Sequence, residues 1–331
     1  AWQLTVAANG KLPLQQQDIS LNGHAMEVRL YAEDPALGFM PQTGDILRWS
    51  YLNEGDQANS QGLRMDAGIK QGLTVSPFYD PMLAKVIAHG ATRDEARRKL
   101  MSSLKNLELL GVRSNRGFLF NIIKHPVFAK GGATTSFIEN DFANDASLSP
   151  HSLTHEQQAL TAWLFYLTSA LKNSQANERA FWRNSNPAPT WFDLEHSSET
   201  HAVAVTVKNA SNQQFIVQAQ DTVYDFSLIE LQEQKLVYLD AGIKKTICFA
   251  FNSEGELYLS SHEGCLLVQD NTHAPAKAAD GVGSGLIKSS MDGGIIDVLV
   301  QEGNKVEKGQ TLVILEAMKM EHAMKADMDG V

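Results

Sequence analysis

Residues 291–331 read MDGGIIDVLVQEGNKVEKGQTLVILEAMKMEHAMKADMDGV, and their opening tripeptide returns near the end as Met328-Asp329-Gly330. Between the two copies, runs of valine, leucine and isoleucine are interrupted by glycines, which is typical of short strands joined by turns. A repeat of this kind predicts two quasi-equivalent half-sheets folded over each other. Lys319 falls near the connection between the halves, so we expect it at the tip of a hairpin.

The residues beside Lys319 suit covalent modification of its amine. Ala317 is small, and Met318 and Met320 are unbranched, so a modifying enzyme has room to close on the turn. A cofactor tethered to lysine needs an attachment point that is free at its tip and rigid at its base, and a hairpin meets both demands. The alternative interpretation is a solvated surface lysine that bears no cofactor.

Residues 286–331 resemble the biotinyl carrier domain of biotin-dependent carboxylases. Residues 316–320 match that family's attachment motif in full, and the upstream Met291-Asp292-Gly293 matches as well. The resemblance implies a partial biotinyl/lipoyl-type β-sandwich that carries biotin on Lys319, with the three neighbours just named at the attachment site. Lipoyl domains share this architecture but usually have Asp before the lysine and Ala after it, so methionine on both sides favours biotin.

The 331 residues divide into three regions and a linker, which predicts an α+β multidomain protein. We place the regions at residues 1–142, 143–272 and 286–331, with the linker at 273–285. Alanine, glycine, proline, lysine and aspartate dominate the linker, a composition that predicts a mobile tether.

In the first region, apolar and polar residues alternate around Val28, which predicts a half-buried strand, and a second apolar strand ends at Gly90. A helix is predicted next, with Thr92 and Glu95 as its capping box and Gly111 as its C-cap. These features predict an antiparallel sheet plus helices.

The second region opens with another capping box, Thr154 and Gln157, and then shows apolar residues at helical spacing, Trp163 and Leu171 among them. We expect this helix to bury one broad face. Period-two apolar segments recur from there to Val268, which predicts a small antiparallel β-barrel or a sandwich packed around the helix.

Two motifs of the first region, HAMEVRLYAEDP at 24–35 and YDPMLAK at 79–85, occur in an order that resembles the C-terminal subdomain of biotin carboxylase. The resemblance implies that Arg29 is catalytic and faces the ureido ring of biotin. Deprotonation of a ring nitrogen places negative charge on the ureido oxygen, where a fixed guanidinium stabilises it. The alternative is an exposed strand arginine paired with Glu27 or Glu33.

A helix and small barrel between these two domains resemble the part that links the α and β subunits of acyl-CoA carboxylases. Trp182, Arg183 and Trp191 are similar to the methylcrotonyl-CoA branch. Together the resemblances imply the biotin-carrying α subunit of a carboxylase, a ligase that forms C–C bonds, acting on 3-methylcrotonyl-CoA in leucine degradation. Propionyl-CoA or geranyl-CoA carboxylase, or a non-catalytic carrier and assembly fragment, are the alternatives.

The same resemblance implies a hetero-oligomer with a carboxyltransferase β subunit, biotin protein ligase as a further partner, and bicarbonate and acyl-CoA as substrates. It implies Mg-ATP for the complete subunit. No G-x-x-x-x-G-K-S/T motif occurs in the sequence, so we expect no ATP cleavage by residues 1–331 alone. Because the second copy of the repeat stops at Val331, we also expect a frayed carrier region and slow biotinylation.

Composition narrows the remaining classes of function. A formal net charge of −10 without a basic run argues against nucleic-acid binding. No apolar run reaches the roughly 20 residues of a membrane helix. Cys248 and Cys265 lie in apolar stretches and are interpreted as reduced core thiols, and no metal site is predicted. The resemblance to acyl-CoA carboxylases implies the cytoplasm of a bacterium or the mitochondrial matrix of a eukaryote.

Overall fold

Three structured regions follow one another along the chain, and we call them the sheet-and-helix region (residues 2–142), the barrel region (155–274) and the carrier region (293–331). The computed structural model describes residues 2–51, 62–173, 181, 188–261, 264–274, 287, 289, 293–317 and 320–331. The α+β multidomain class is confirmed, with helices and strands in the first two regions and strands in the third.

The sheet-and-helix region contains five helices and nine strands among its described residues. The helices are α1 (Trp2–Ala7), α2 (Arg93–Asn106), α3 (Arg116–Lys124), α4 (Pro126–Ala129) and α5 (Phe137–Asp141). The strands are β1 (His24–Tyr31), β2 (Glu33–Asp34), β3 (Met40–Pro41), β4 (Gly44–Asp45), β5 (Arg48–Ser50), β6 (Leu63–Ala67), β7 (Thr74–Val75), β8 (Met82–Gly90) and β9 (Glu108–Leu110).

An antiparallel sheet in the order β1-β8-β6 forms the centre of this region. Apolar side chains on one of its faces, such as Leu30 and Val86, are buried. Helix α2 covers that face with Ala96, Leu100 and Leu104, which are also buried. The opposite face of β1 exposes Glu27 and Arg29, as period-two alternation predicts.

Helix α2 begins as predicted and ends differently. Thr92 Oγ1 accepts a hydrogen bond from Glu95 N at 3.2 Å, while the Glu95 carboxylate accepts from Ala91 N, one residue before the N-cap. The prediction that Gly111 is the C-cap is wrong, because α2 ends at Asn106 and β9 intervenes. Gly111 has φ +106°, and a Cβ there would lie 1.9 Å from the Asp45 carbonyl oxygen, so glycine allows a close backbone approach instead.

The barrel region consists of one long helix and eight strands that close into a barrel. The helix is α6 (His155–Asn173), and the strands are β10 (Thr190–His196), β11 (Glu199–Asn209), β12 (Gln214–Ala219), β13 (Thr222–Gln232), β14 (Lys235–Asp240), β15 (Ile243–Phe251), β16 (Leu257–Ser260) and β17 (Cys265–Asp270). The predicted small antiparallel barrel is confirmed, and the sandwich alternative is wrong.

Helix α6 is buried around its whole circumference, so the expected single buried face is wrong. Every residue from 159 to 167 is buried, including Thr161. The helix lies against inward-facing barrel residues, and Trp163 packs on Phe215 and Phe226 with ring centroids 5.4 and 5.0 Å apart. A helix surrounded by strands loses its polar face, which explains the difference. Leu171, expected in the apolar stripe, is 43% exposed near the end of the helix.

The carrier region is a three-stranded antiparallel sheet of β18 (Gly294–Val298), β19 (Thr311–Ala317) and β20 (Met320–Lys325), with β19 in the middle. A separate backbone bridge joins Val306 to Gly330. Among the described residues of the carrier region, the buried apolar side chains are Leu315 and Ala326. This is a small core for an independent sheet.

None of the helices in the described part of the chain has both the length and the apolar character needed to cross a bilayer.

Candidate functional site

The hairpin of β19 and β20 frames the predicted attachment lysine. The strands pair antiparallel from Thr311↔Lys325 to Ala317↔Met320. Two residues, Met318 and Lys319, connect those last partners, and both lie outside the described residues, as do the side chains of Ala317 and Met320. The backbone on either side agrees with the predicted hairpin, and the role of Lys319 itself stays a prediction.

The two copies of Met-Asp-Gly make different backbone contacts at this sheet. Gly293, which ends the first copy, lies so close to β19 that a Cβ would be 2.5 Å from the Glu316 carbonyl oxygen. In the second copy, Gly330 exchanges backbone hydrogen bonds with Val306, and Asp329 Oδ1 accepts from Lys308 N at 2.7 Å. The repeat thus supports the carrier sheet at two places, one of them directly beneath the hairpin base.

The second predicted site residue, Arg29, lies on the exposed face of β1. Its side chain is 58% exposed, and its Nε is 3.7 Å from Glu27 Oε1. This ion pair is the alternative arrangement considered from the sequence, and its length and exposure make it weak. Arg29 therefore has a guanidinium that a ligand can reach, held in place by little besides the strand.

The register of the sheet sets charged residues in a row across this face. Arg29 is opposite Lys85 on β8, and Lys85 is opposite Asp66 on β6. Asp66 also binds Arg64, with Arg64 Nη2 2.6 Å from Asp66 Oδ2. Opposed positive charges in neighbouring strands destabilise one another, and the Asp66 carboxylate opposite Lys85 offsets part of that repulsion.

A residue outside the predicted site fixes the backbone at Arg29. Asn115 is buried, its Oδ1 accepts from Tyr31 N at 2.9 Å, and its Nδ2 donates to the Arg29 carbonyl oxygen at 3.3 Å. The β1–β8 register shifts between Leu30 and Tyr31, where the Asn115 side chain supplies the missing partner. A side chain 84 residues away that completes a strand leaves no local sequence signal.

The two carboxylates that follow β1 differ in their surroundings. Asp34 is buried and pairs with Arg113 Nη1 at 2.6 Å, while its other oxygen accepts from Ala36 N. Burial, with the nearby Asp80 carboxylate as a second cause, raises the pKa of Glu33 above its ordinary value.

A cavity of about 570 Å³ lies between the sheet-and-helix region and the barrel region. Its walls include Arg113 and Phe118 on one side and His196 and Leu266 on the other, and Arg29 is not among them. In the described part of the chain, no cluster of His, Cys, Asp and Glu side chains is arranged to hold a metal ion.

The two predicted site residues belong to different regions. Strand β1 packs with β8, α2 and α3, whereas β19 packs with β18 and β20. Any chemistry that uses both Arg29 and the hairpin therefore needs the carrier region to approach the exposed face of β1.

Family models match the chain in two places. Residues 27–140 match the biotin carboxylase C-terminal domain, and residues 283–331 match the family described as biotin-requiring enzyme. The first match includes Arg29 and Asn115, and the second includes the whole β19–β20 hairpin. The comparison thus assigns one family to each of the two candidate sites.

Curated relatives match the chain over nearly all of its length. The methylcrotonoyl-CoA carboxylase subunit alpha of Dictyostelium discoideum is 30% identical over 99% of this chain and 48% of its own length. The propionyl-CoA carboxylase alpha chain of Sus scrofa is 29% identical over 99% of this chain and 46% of its own. The chain spans about half the length of these relatives.

The first region has a more similar relative of its own. The biotin carboxylase of Halalkalibacterium halodurans is 47% identical over 139 residues, which are 42% of this chain and 29% of that protein. This higher identity agrees with the resemblance drawn from the motifs at residues 24–35 and 79–85 in the sheet-and-helix region.

Proposed function

We propose that this chain, which contains a biotin carboxylase C-terminal domain and a biotin-requiring segment, is part of the biotin-carrying α subunit of an acyl-CoA carboxylase. In the complete subunit, Mg-ATP and bicarbonate would drive carboxylation of biotin on Lys319. The carboxyl group would then be delivered to an acyl-CoA on a carboxyltransferase β subunit. Biotin protein ligase would attach the cofactor.

One observation carries this proposal: Ala317 pairs with Met320. The pairing leaves a two-residue connection for Met318 and Lys319, so the biotin-type motif coincides with a hairpin rather than with a strand centre or a helix. A modifying enzyme needs such a connection to reach the lysine amine. Biotin bound there would supply a ureido nitrogen able to hold a carboxyl group in transit.

Arg29 is the proposed catalytic residue of the first region. Its guanidinium would bind the ureido oxygen and stabilise the negative charge that develops there when a ring nitrogen loses its proton. Its exposure leaves the group free to accept a ligand delivered on a tether. Asn115 would hold the Arg29 backbone in register while the guanidinium is engaged.

The acyl-CoA is proposed to be 3-methylcrotonyl-CoA, with leucine degradation as the setting. Support comes from the methylcrotonoyl-CoA carboxylase relatives, 30% identical in Dictyostelium discoideum. A propionyl-CoA carboxylase relative at 29% keeps that substrate as the second candidate. Acyl selection would belong to the β subunit in a hetero-oligomer, located in the mitochondrial matrix of a eukaryote or the cytoplasm of a bacterium.

Intact mass and avidin blotting of the full-length subunit, expressed with biotin protein ligase, test the attachment site. We expect a biotinyl adduct that disappears in Lys319→Arg and persists in Lys325→Arg, a matched lysine on β20. Peptide mapping after digestion locates the adduct. A bare lysine, or one bearing lipoate, would overturn the proposal.

The assembled αβ complex then identifies the substrate. We expect ATP- and bicarbonate-dependent carboxylation to be fastest with 3-methylcrotonyl-CoA in a panel that includes propionyl-CoA and geranyl-CoA. A higher kcat/KM for propionyl-CoA would transfer the assignment to the second candidate, whereas a complex that is biotinylated but inactive on the panel would indicate another acceptor.

A further inference from the structure

One end of the barrel rests on the sheet-and-helix region through specific polar contacts. The connection between β16 and β17, strand β15, and the turn between β13 and β14 all reach β5, β9 or the start of α3. These contacts join residues separated by 140 to 187 positions in sequence, so they are a docked interface rather than a local turn.

Arg116 lies at the centre of this interface. It is a buried residue at the start of α3, 5% exposed. Its Nη1 donates to the carbonyl oxygens of Leu104 and Leu107, at 3.2 and 2.6 Å, and thereby closes the end of α2. Its Nη2 donates to the carbonyl oxygens of Ser261 and Gly264, which flank the β16–β17 connection of the barrel. One planar guanidinium therefore ties both regions together through main-chain acceptors.

A second contact repeats this pattern at the neighbouring turn. Gln234 Nε2 donates to the Leu47 carbonyl oxygen at 2.9 Å, and Gln234 Oε1 accepts from Arg48 Nη1 at 3.2 Å. Arg48 also binds the Glu108 carboxylate, with Nε 2.7 Å from Oε2. The Gln234 side chain thus fixes the barrel turn at β5 by donating one hydrogen bond and accepting another.

Both cysteines of the chain lie on the barrel side of the same interface. The buried Cys248 donates its thiol hydrogen to Glu108 Oε1, with sulfur and oxygen 2.9 Å apart. Cys265 lies against the backbone N–H of Gly111. Burial and the Glu108 contact raise the pKa of Cys248 to about 12, and burial raises that of Cys265 to about 11.

We propose that Arg116 is a positioning residue that locks the barrel onto the sheet-and-helix region, so that the two regions move as one body and the carrier region is tethered from a fixed origin. The lock stands on the contacts alone. Its consequence for delivery of a cofactor to the Arg29 face rests on the proposed function.

Thiol alkylation of the folded chain tests the lock, with the two cysteines as native reporters. The reacting species is the thiolate, so a thiol that leaves this interface and regains an ordinary pKa reacts faster. We expect slow labelling of both cysteines by iodoacetamide in the wild type and labelling at least roughly tenfold faster in Arg116→Met. Peptide mass spectrometry assigns the rate to each cysteine, and urea-unfolded protein sets the upper limit.

Arg98→Met is the matched control, because Arg98 lies on α2 with a side chain 69% exposed. We expect it to leave both labelling rates unchanged. Circular dichroism checks the fold of each variant. If Arg116→Met does not fold, Gln234→Ala replaces it, and we then expect faster labelling of Cys248, whose strand lies beside the Gln234 turn. Wild-type labelling at the unfolded rate, or unchanged protection in a folded Arg116→Met or Gln234→Ala, would overturn the lock.

The consequence for the proposed function has a separate readout in the full-length, biotinylated subunit. We expect Arg116→Met to slow carboxylation of the attached biotin while carboxylation of free biotin added in solution keeps its kcat. Equal slowing of both reactions would contradict a positioning role. If the thiols respond as expected and no biotin chemistry is found, the lock stands and the proposed function fails.

Discussion

At the scale of single residues, Asn115 shows how a buried amide completes a strand. It satisfies a backbone donor at Tyr31 and a backbone acceptor at Arg29, where the regular β1–β8 pairing is interrupted. An unpaired buried backbone group costs free energy comparable to a lost hydrogen bond. The residue therefore contributes to stability and to the placement of Arg29 at once.

Replacing Asn115 with alanine is expected to lower the free energy of unfolding by about 1–3 kcal/mol, because both backbone groups lose their partner in a buried site. Urea denaturation followed by circular dichroism measures the change. Asn22→Ala, at an exposed asparagine, is the control and should change stability by no more than about 0.5 kcal/mol. A similar loss in both variants would show that the Asn115 bonds do not stabilise β1.

Arg29→Met tests the exposed face directly. In the full-length subunit we expect kcat for biotin carboxylation to fall by about a hundredfold or more, since the charge on the ureido oxygen loses its partner. Stability should stay within about 0.5 kcal/mol, because the side chain is exposed. Glu27→Gln removes the 3.7 Å ion pair and keeps Arg29, so it should retain activity. Full activity of Arg29→Met would remove this residue from the mechanism.

At the scale of elements, α6 provides the core around which the barrel strands pack. The helix fills the interior with Trp163, around which Phe215, Phe226 and Tyr238 are arranged with ring centroids 5.0 to 5.9 Å away. Aromatic pairs at such distances add to the hydrophobic contribution of the buried area. The indole Nε1 is buried and has no hydrogen-bond partner among the described residues.

Trp163→Ala is expected to cost about 3–5 kcal/mol of unfolding free energy, because it leaves a large cavity in the barrel. Trp163→Phe should cost only roughly 1–2 kcal/mol, since it removes less volume and forfeits no hydrogen bond. Chemical denaturation with a barrel-specific near-UV signal measures both. Trp191→Ala is the control at a tryptophan that is 56% exposed. An equal loss for phenylalanine and alanine would indicate that the indole N–H is satisfied after all.

The elements with strong local patterns could be predicted from sequence. The N-cap residues Thr92 and Thr154 mark helix starts because the hydrogen bonds that their side chains accept lie within one turn. The end of α2 and the all-round burial of α6 could not be predicted from local patterns. Gly111 is required by its close approach to the Asp45 backbone, and Trp163 is buried by aromatic residues on three strands far along the chain. Tertiary contacts decide such features, and a local pattern does not contain them.

At the scale of the whole molecule, the three regions differ in the size of their cores. The barrel and the sheet-and-helix region each bury an extensive apolar cluster. In the described part of the carrier region, only Leu315 and Ala326 are buried apolar residues. Local stability follows the amount of buried apolar surface, so the carrier region should open most readily.

Hydrogen exchange measured by mass spectrometry tests this ranking. We expect backbone amides of β18–β20 to exchange roughly a hundredfold or more faster than those at the centre of α6. Amides of β9, at the docked interface, should follow the barrel rather than the carrier region. Protection of β19 equal to that of α6 would mean that the carrier region has stabilising contacts beyond its own sheet.

The candidate sites were predictable to different extents for the same reason. The lysine motif is contiguous and lies between two copies of the tripeptide Met-Asp-Gly, so sequence alone indicates the hairpin. Arg29 could be named only through resemblance, because an exposed strand arginine has no distinctive pattern. Asn115 and Arg116 bind backbone atoms of distant residues, so no pattern among their sequence neighbours predicts their roles.

Because the connection between Ala317 and Met320 is short, an odd change in the number of residues here would affect β20 differently from an even one. Along β20, His322 and Met324 are partly shielded while Glu321, Ala323 and Lys325 are open to solvent. One inserted residue would exchange these two sets and turn charged groups toward the interior of the sheet. Inserting or deleting a single residue in β20 should therefore be tolerated far less well than inserting or deleting two. A change of two residues leaves each later side chain on its original face of the sheet.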